Sequence, residues 1–562
     1  MTSHLQSDRV RTLLAHLVAG GLRHLVVSPG SRSTPLVQAA AERAELTLHV
    51  VLDERAAGFF ALGLTRATGH LCGTLCTSGS AVAHLLPAAI EGVESGDRLL
   101  ALTADRPVDV RGLGAPQAIL QPGLLAPYAT HFVEILPLSE EFSQQLTALD
   151  HALTLLPAHG GLLHLNVPLG LPLALAAGVA PLLPAPPQPV QIQPGPPIPA
   201  PQPGERVLLV AGALPDLPGL AHFLRDRLDP GQVVLLAEPA SRLRDALPGI
   251  RHADALLHEP DLRRHLQPDR IVRLGAWPVA KGLQLLLEDA ARREVLVDVA
   301  QPRRISDPLR QNRLTSTDVP EVALREWPLV QLPTESPWQK QWQDADLAIQ
   351  PPPPGLHEGQ IIAALAPTLP AQSTVVLGNS MPVRDWHTFA PILPPTVHIE
   401  VSRGAAGIDG TLATAAGLAI GRRHPVTVYL GDATFLHDCG SLQLLAQLHF
   451  GAGSVRVVVV DNGGGAIFDY LPARTAMSSA LHERFFTAPH TLRLDRIAQG
   501  FGIDARNCAS ISDLRACLST PLAHGEVQVL VVSIDRIASE TMHRHYWRAS
   551  AKSARSALGI ES

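Results

Sequence analysis

The sequence has no excess of basic residues, and this absence narrows the possible partners. It contains 45 Lys and Arg against 51 Asp and Glu, for a formal net charge of −6. Nucleic-acid-binding domains and proteins of the membrane surface usually carry a positive patch or stripe. We therefore expect neither nucleic acid nor a membrane surface as a partner.

Cysteine is scarce as well, with five residues in the chain of 562. Cys72 and Cys76 lie in an apparent buried strand, without histidines at zinc-ligand spacing. Disulfide frameworks are typical of secreted proteins, whereas a few isolated thiols are typical of the cytosol. The N-terminal segment also carries charges where a signal peptide needs an apolar core. We predict a cytoplasmic protein with reduced thiols.

Charged side chains are absent from the segment His151–Gly204. Part of it, Leu162–Leu183, is apolar enough to resemble a membrane span, but it contains Pro168 and Pro172. Proline inside a helix removes a hydrogen bond and clashes with the preceding turn. We therefore interpret Gly161–Val167 as a buried strand and expect no stable membrane insertion.

The length of the chain and its proline-rich segment predict the domain organisation. A chain of 562 residues is too long for one hydrophobic core, so about three domains are expected. Residues 181–204 contain eleven prolines and no charge, which predicts a semi-rigid linker. We predict an N-terminal domain over 1–180, a middle domain over 205–345 and a C-terminal domain over 346–562.

Apolar strand patterns alternate with helical patterns in all three predicted domains. This alternation is typical of α/β folds in which each domain is a doubly wound parallel sheet. The middle domain has no Gly-x-Gly-x-x-Gly turn, so we do not expect it to bind a dinucleotide. Residues 473–495 are predicted to be a mobile loop. The predicted strands are His24–Ser28, Leu48–Leu52, Gly73–Thr77, Leu99–Thr103, Val207–Gly212, Val233–Ala237, Arg270–Leu274, Glu294–Val299, Thr374–Gly378, His398–Ser402, Val426–Leu430, Val455–Val460 and Val527–Ile534.

Polar side chains follow two strands of the last domain. Asp432 comes after one strand and Asn462 after the next, with a segment of helical period between them. Because adjacent parallel strands end at one edge of a sheet, the two side chains should lie close together. Carboxylate and amide oxygens suit magnesium, which keeps phosphate oxygens and water as other ligands. The glycines after Asn462 let a backbone carbonyl approach. A plain turn is the alternative for the Gly-Asp pair alone, but the 30-residue spacing favours a metal site.

Three strand-to-helix turns of the first domain carry unusual side chains. Ser31 and Arg32 lie beside a predicted helix N-terminus, which can bind an anion, although a capped turn is the alternative. Glu54 begins an apolar helix. A carboxylate in an apolar crevice has a raised pKa and can move protons, whereas an exposed one only complements the helix dipole. The third turn, which can cradle an anion or simply pack tightly, consists of Thr77, Ser78 and Gly79.

Further cations and amides fall on loops at strand ends. Arg106 precedes a proline and is held extended, so its guanidinium can pair with a carboxylate. Lys281 follows a strand of the middle domain, where a surface lysine is the default interpretation. The other side chains on such loops are Gln117, Ser380, Arg384 and Arg403.

Together these motifs resemble the 2-succinyl-5-enolpyruvyl-6-hydroxy-3-cyclohexene-1-carboxylate (SEPHCHC) synthase, or MenD, family of thiamine-diphosphate-dependent enzymes. The sequence differs from the usual pattern at Ala433, Thr434 and Asp461, where the wider group commonly has Gly, Ser and Asn. None of these changes removes a type of ligand. The matching segments are SPGSRSTPL, DERAAGFFALGL, CTSGSAVAHLLPA, LTADRP, GNSMPVR, SRGAAGIDG and DNGGGAIFDYLP.

The resemblance implies a reaction and an assembly. The implied reaction is decarboxylation of 2-oxoglutarate and addition of the resulting succinyl-semialdehyde carbanion to isochorismate, giving SEPHCHC and CO2 in menaquinone or phylloquinone biosynthesis. The implied cofactors are thiamine diphosphate and Mg2+ or Mn2+. A homodimer or homotetramer with its active site at a subunit interface is implied too. Another thiamine-diphosphate 2-oxo acid decarboxylase or an acetolactate-synthase-like enzyme is the alternative. A non-catalytic scaffold is disfavoured by the presence of Glu54, Asp432 and Asn462.

Residue roles follow from the same resemblance. Glu54 would hydrogen-bond the aminopyrimidine of the cofactor, and Ile408 would hold the cofactor in its bent shape. The implied catalytic residues are Glu54, Ser31, Arg32, Gln117 and Arg403. The implied cofactor contacts are Glu54, Thr77, Ser78, Gly79, Ile408, Gly431, Asp432, Ala433, Asn462, Ile467 and Phe468. The implied substrate contacts are Ser31, Arg32, Arg106, Gln117, Lys281, Ser380, Arg384, Arg403, Phe468 and Leu471. The implied metal ligands are Asp432, Asn462 and Gly464.

Overall fold

The computed structural model describes residues 2–188, 195–289, 294–296, 320–330 and 336–560. These residues form three parallel sheets, two of six strands and one of four, so the predicted α/β class is confirmed. The strands are β1 (Leu22–Val27), β2 (Thr47–Val50), β3 (Leu71–Cys76), β4 (Arg98–Asp105), β5 (Ala129–Glu134), β6 (Gly161–Pro168), β7 (Val207–Ala211), β8 (Val233–Ala237), β9 (Arg270–Leu274), β10 (Glu294–Leu296), β11 (Ser373–Leu377), β12 (Val397–Val401), β13 (Pro425–Gly431), β14 (Ser454–Asp461), β15 (Asp504–Cys508) and β16 (Val527–Ser533).

Helices connect these strands, as parallel pairing requires. Those of the first third are α1 (Thr2–Ala19), α2 (Thr34–Ala41), α3 (Glu54–Thr68), α4 (Ser80–His84), α5 (Leu86–Ser95) and α6 (Phe142–His159). Those of the middle are α7 (Leu220–Arg225), α8 (Ala253–Leu257), α9 (Pro260–His265), α10 (Lys281–Asp289), α11 (Pro320–Ala323) and α12 (Pro337–Leu347). Those of the last third are α13 (Glu358–Leu365), α14 (Met381–Phe389), α15 (Thr411–Arg422), α16 (Asp432–His437), α17 (Ser441–Gln447), α18 (Ala473–Ala476), α19 (Ser479–His482), α20 (Leu494–Gly500), α21 (Ile511–Leu518) and α22 (Arg536–Ala557).

The chain divides into two compact units. The first consists of Met1–Gln193, Ser402–His424 and His437–Gly453, and the second consists of Pro194–Val401, Pro425–Leu436 and Ser454–Ser562. The first unit contains the sheet β2-β1-β3-β4-β6-β5. Its central strands β3 and β6 are buried along their whole length, which explains their uninterrupted apolar sequences.

Helices α3 and α15 of the first unit pack very closely. Their contact depends on two glycines, because a Cβ added to Gly63 would lie 2.2 Å from the Thr414 carbonyl oxygen. A Cβ added to Gly417 would lie 2.3 Å from the Phe60 carbonyl oxygen. Local signals define α3 itself: Asp53 caps its N-terminus by accepting from the Arg55 amide, and Gly69 ends it with a φ of 69°.

The second unit contains two sheets, with strand orders β10-β9-β7-β8 and β12-β11-β13-β14-β16-β15. One apolar cluster includes side chains from both sheets, such as Leu208 of β7 and Val375 of β11, together with Trp342 of α12 and Trp386 of α14. A separate cluster on the middle sheet includes Trp327, which is 2% exposed. The middle sheet therefore shares its core with the last sheet.

The two six-stranded sheets have the same strand order. In each, the first strand lies between the second and the third, and the last two strands are exchanged. In both sheets a ligand can bind at the carboxyl ends of the strands. The carboxyl end of β3 in the first sheet therefore corresponds to the carboxyl end of β13 in the last sheet.

The predicted strands are found in the described residues, with each end within two residues of its prediction, apart from Glu294–Val299. Of that strand, Glu294–Leu296 forms β10, and the rest lies outside the described residues. The interpretation of Gly161–Val167 as a strand is confirmed by β6. Among the helices that the structure describes, none combines the length and apolar character needed to cross a bilayer.

Two strands, β5 and β15, were not predicted, and the prediction of a loop over residues 473–495 was wrong. β15 is an edge strand with the polar sequence DARNC, so it lacks an apolar pattern. Residues 473–495 contain α18, α19 and a π-helical turn, Glu483–Thr487. Arg536 holds this turn by donating to Glu483 and to Thr487 at 2.8 and 3.2 Å, a long-range contact that composition does not reveal.

The contact between α3 and α15 yields a test of the fold. We expect Gly417→Ala to lower the free energy of unfolding by about 1–3 kcal/mol, because the new methyl group meets backbone that cannot move away. Gly500→Ala, in α20, is the matched control, since no described atom lies within 4 Å of its added Cβ. Denaturant unfolding measures both. Equal stability of the two variants would contradict the close packing of these helices.

Candidate active site

The carboxylate of Asp432 is buried at the carboxyl end of β13. It is 1% exposed and begins α16. The Ala433 amide donates to its Oδ1 at 2.6 Å, and the Gly464 amide donates to its Oδ2 at 2.8 Å. Nε2 of His490 lies 3.2 Å from the same Oδ2. Burial raises the pKa of Asp432 to about 6, and the nearby Asp461 adds to this effect, while the amides and His490 oppose it.

The neighbouring strand brings an amide oxygen to the same edge. β14 pairs in parallel with β13, with Val460 opposite Gly431. Asn462 follows β14, and its Oδ1 is buried without a hydrogen-bond partner. An unsatisfied buried acceptor costs about 1–3 kcal/mol, so this atom is available to bind a ligand.

The donor set at this edge suits a divalent cation. Ligand atoms of Asp432, Asp461 and His490 lie within 4.8 Å of one another. The Asn462 oxygen, which follows the neighbouring strand, offers a further oxygen donor, and magnesium and manganese prefer such oxygen-rich sets. A bound cation would satisfy the Asn462 oxygen and offset the burial of the Asp432 charge.

Gly464 brings the backbone close to Asp432. Its φ of 146° favours glycine. A Cβ added here would lie 2.3 Å from the Thr487 carbonyl oxygen. Its carbonyl, the predicted metal ligand, accepts from the Ala466 amide at 3.0 Å. The backbone conformation and the close packing therefore require glycine at position 464, whether or not a ligand binds.

In the first unit, Glu54 lies where β2 and β3 end. It is the first residue of α3 and is partly buried. Cys76, the last residue of β3, is buried, and its pKa is raised by burial and by the Glu54 carboxylate. Glu54 is therefore near the end of the central strand β3, with its backbone fixed by the Asp53 cap.

The turns after β1, β3 and β4 meet at the same edge. A Cβ added to Gly30 would lie 2.3 Å from Thr77 Cβ, so these two turns are in contact. An added Gly79 Cβ would lie 3.5 Å from Gln117 Cβ. Ser78 Oγ is buried without a partner. The predicted cofactor turn therefore contains a buried hydroxyl that has no hydrogen-bond partner.

The predicted cations of the first unit differ in environment. Arg32 is 8% exposed and donates from Nη1 to the Leu169 carbonyl at 2.8 Å, while its Nε has no partner. Nε of Arg106 is also buried without a partner. Arg403 lies in a loop whose next two amides donate to Glu91, at 3.0 and 2.8 Å. Ile408 lies on the same loop and is partly buried.

The predicted substrate residues of the second unit occupy helix starts. Lys281 begins α10 and lies 3.4 Å from Glu288, with half of its side chain exposed. Ser380, with a φ of 71°, precedes α14, and Arg384 of that helix donates to its carbonyl. Burial lowers the pKa of Arg384.

The predicted apolar contacts lie just beyond the glycine triplet. Ile467 and Phe468 are partly buried, and Phe468 packs edge-on against Phe486, with ring centroids 5.5 Å apart. Leu471 is 43% exposed. These side chains offer an apolar surface close in sequence to Asn462.

Sequence reasoning missed His490 and a buried polar network of the first unit. His490 lies in the segment that was predicted to be a loop, and no local pattern marks it. In the network, Gln121 accepts from the Gly79 amide at 3.1 Å and donates to Asn166 at 2.7 Å. Asn166 donates to Asp105 at 3.0 Å. The one available sign of the network in the sequence was Asn166 itself, a polar residue in an uncharged, apolar segment. A polar side chain in a buried strand needs hydrogen-bond partners.

The first and last thirds of the chain match families of known proteins. Residues 9–124 match the family described as thiamine pyrophosphate enzyme, N-terminal TPP binding domain. Residues 382–532 match the thiamine pyrophosphate enzyme, C-terminal TPP binding domain. The two matches cover the two six-stranded sheets in large part, and they support thiamine pyrophosphate as the cofactor.

Individual relatives cover almost the whole chain. The chain is 34% identical to the 2-succinyl-5-enolpyruvyl-6-hydroxy-3-cyclohexene-1-carboxylate synthase of Geobacillus kaustophilus, over 97% of this chain and 99% of the relative. It is also 34% identical to the protein of the same name from Synechococcus elongatus, over 92% of this chain and 91% of the relative. The predicted resemblance is thereby confirmed, and the chain belongs to the 2-succinyl-5-enolpyruvyl-6-hydroxy-3-cyclohexene-1-carboxylate synthase family of thiamine pyrophosphate enzymes.

Proposed function

We propose that the chain catalyses the decarboxylation of 2-oxoglutarate and the addition of the remaining four-carbon unit to isochorismate, in menaquinone or phylloquinone biosynthesis. The observation that carries this proposal is the buried Asp432 carboxylate beside the unpartnered Asn462 oxygen, in a chain of the SEPHCHC synthase family. Thiamine diphosphate, when bound, supplies the carbon nucleophile and the electron sink of the reaction. The chain supplies binding, orientation and proton transfer.

The C-terminal sheet edge would hold the cofactor's diphosphate through a metal ion. Asp432, Asn462 and the carbonyl of Gly464 are the proposed ligands of Mg2+ or Mn2+, and phosphate oxygens complete the coordination. Gly431 and Ala433 flank the carboxylate and leave room for the phosphates. Thr77, Ser78, Gly79, Ile408, Ile467 and Phe468 are the other proposed cofactor contacts.

Glu54 is the proposed acid–base group. Its partly buried position at a strand edge allows its carboxylate to hydrogen-bond a ring nitrogen and to exchange a proton with it. A homodimer or homotetramer with its site at a subunit interface would bring Glu54 of one subunit to the metal edge of another. We also propose that the protein is cytoplasmic.

Cations and amides on the loops would bind the substrate carboxylates. Arginine pairs with carboxylates in bidentate geometry, and several cations suit two substrates that together carry several carboxylates. Phe468 and Leu471 would form the apolar wall. The proposed polar contacts are Ser31, Arg32, Arg106, Gln117, Lys281, Ser380, Arg384 and Arg403.

The direct test is an assay of carbon dioxide release. With thiamine diphosphate and Mg2+ present, we expect release from 2-oxoglutarate but not from pyruvate, and faster turnover when isochorismate is added. The physical reason is the number of cations, which a pyruvate-specific site does not need. Preference for pyruvate would instead favour an acetolactate-synthase-like enzyme, and would overturn the proposed substrates.

Glu54→Gln tests the proton-transfer role. The amide has nearly the same shape but cannot take up a proton, so turnover should fall by at least roughly 100-fold. Cofactor affinity, measured by calorimetry, should stay close to that of the wild-type chain. Near-normal turnover would remove Glu54 from the mechanism.

Asp432→Ala tests the metal edge. Removing a ligand should weaken Mg2+-dependent binding of thiamine diphosphate by at least roughly 100-fold, the upper range for changes around bound metals. Asp513→Ala is the control, because this aspartate is exposed in the first turn of α21. Isothermal titration with and without Mg2+ measures both variants. Unchanged binding in Asp432→Ala would exclude this edge as the metal site.

A further inference from the structure

A buried carboxylate of the middle sheet holds the backbone just before Lys281. Glu238 follows β8 and is 2% exposed. Its Oε1 accepts from the Val279 amide at 2.7 Å and from the Ala280 amide at 2.8 Å. A buried charge is costly unless it is hydrogen-bonded or paired, so these two bonds are the condition for keeping Glu238 inside the protein.

A second buried carboxylate holds the backbone just after Lys281. Asp254 of α8 is 4% exposed, and its Oδ1 accepts from the Gly282 amide at 2.8 Å. Burial acts to raise the pKa of Asp254, but His258, His387 and the Gly282 amide outweigh burial and lower it. Asp254 is therefore a charged acceptor.

These bonds fix the start of α10 on both sides of Lys281. The first amides of a helix have no partner within the helix, and carboxylates complement the positive end of its dipole. Glu238 and Asp254 bind three of the four amides from Val279 to Gly282. The lysine side chain itself is 51% exposed. The chain thus holds the backbone of Lys281 rigidly while its ammonium group stays accessible.

The same two carboxylates act on α14, which carries Arg384. Oδ2 of Asp254 lies 3.3 Å from the Thr388 hydroxyl, and this hydroxyl lies 3.0 Å from the Arg384 carbonyl oxygen. Burial lowers the pKa of Arg384, and Glu238, Asp254 and Asp385 counter this effect by favouring its charged form. Asp254 is therefore hydrogen-bonded to both helices that carry the proposed substrate cations of the second unit.

We propose that Glu238 and Asp254 are positioning residues, which we call the carboxylate clamp, for Lys281 and Arg384. The clamp fixes the start of α10, and Asp254 also holds the last turn of α14, so that both cations are positioned to face the carboxylates of a dicarboxylic or tricarboxylic substrate. This inference rests on the proposed function, since it assigns Lys281 and Arg384 to substrate binding. The middle domain would then contribute to the substrate site with its buried carboxylates as well as with the exposed Lys281.

Glu238→Ala and Glu238→Gln test the clamp. We expect Glu238→Ala to raise the KM for 2-oxoglutarate or isochorismate about tenfold, because hydrogen bonds to a charged acceptor are lost. The affinity for thiamine diphosphate with Mg2+ should remain unchanged. Glu238→Gln keeps an oxygen acceptor for the Val279 and Ala280 amides, so it should restore much of the KM. Thermal unfolding identifies any variant that does not fold. If Glu238→Ala does not fold, Asp254→Asn carries the test, because it weakens the bond to the Gly282 amide and should raise the same KM.

A double-mutant cycle separates positioning from general stability. If Glu238 acts through the lysine, Glu238→Ala should change the KM far less in a Lys281→Met background than in the wild-type background. Asp245→Asn is the matched control: its carboxylate is also buried and accepts from one amide, that of Leu393 at 3.1 Å, which leads toward β12. This control should leave both KM values unchanged.

The outcomes distinguish the clamp from the function on which it rests. A wild-type chain that does not use 2-oxoglutarate and isochorismate would overturn the proposed function. An active wild-type chain with unchanged KM values in Glu238→Ala would overturn the clamp alone. Additive effects of Glu238→Ala and Lys281→Met, or an equal rise of KM in Asp245→Asn, would likewise overturn it.

Discussion

The site depends on a buried carboxylate that has no lysine or arginine partner among the described residues. Asp432 is 1% exposed, and its nearest side-chain partner is His490 at 3.2 Å. Next to it the Asn462 oxygen is buried without a hydrogen bond. A protein that maintains both features at one strand edge loses stability there, and a bound divalent cation with its phosphate ligands would recover that loss. The glycine triplet and the parallel pairing of β13 with β14 serve this arrangement.

The repeated sheet topology gives the chain two sets of loops at equivalent strand ends. Both six-stranded sheets have the same order, so each offers a set of loops at equivalent strand ends. One set holds the buried Asp432, and the other holds the partly buried Glu54 on a helix that is locked by glycine packing. The middle domain differs, since its buried carboxylates hold the start of α10, which carries Lys281, and Asp254 contacts the last turn of α14, which carries Arg384.

Much of the fold was predictable because buried parallel strands have uninterrupted apolar sequences. The pairing of β13 with β14 also followed from sequence, since short strand–helix–strand units place strand ends together. Contacts between distant segments were not predictable. His490 reaches Asp432 across 58 residues, and the Gly79 amide meets Gln121 across 42 residues. Such partners depend on how whole elements pack, and neither local composition nor periodicity records that. The edge strand β15 was not predicted because few of its side chains are buried, so its sequence lacks an apolar pattern.

The central claim is that a divalent cation binds between Asp432 and Asn462 at the end of the last sheet. Anomalous diffraction at the manganese absorption edge tests it most directly, with crystals grown in thiamine diphosphate and Mn2+. The account predicts one anomalous peak within coordination distance of an Asp432 carboxylate oxygen and of Asn462 Oδ1, and phosphate oxygens on its open side. A peak at another place, with the Asn462 oxygen hydrogen-bonded to protein instead, would contradict it.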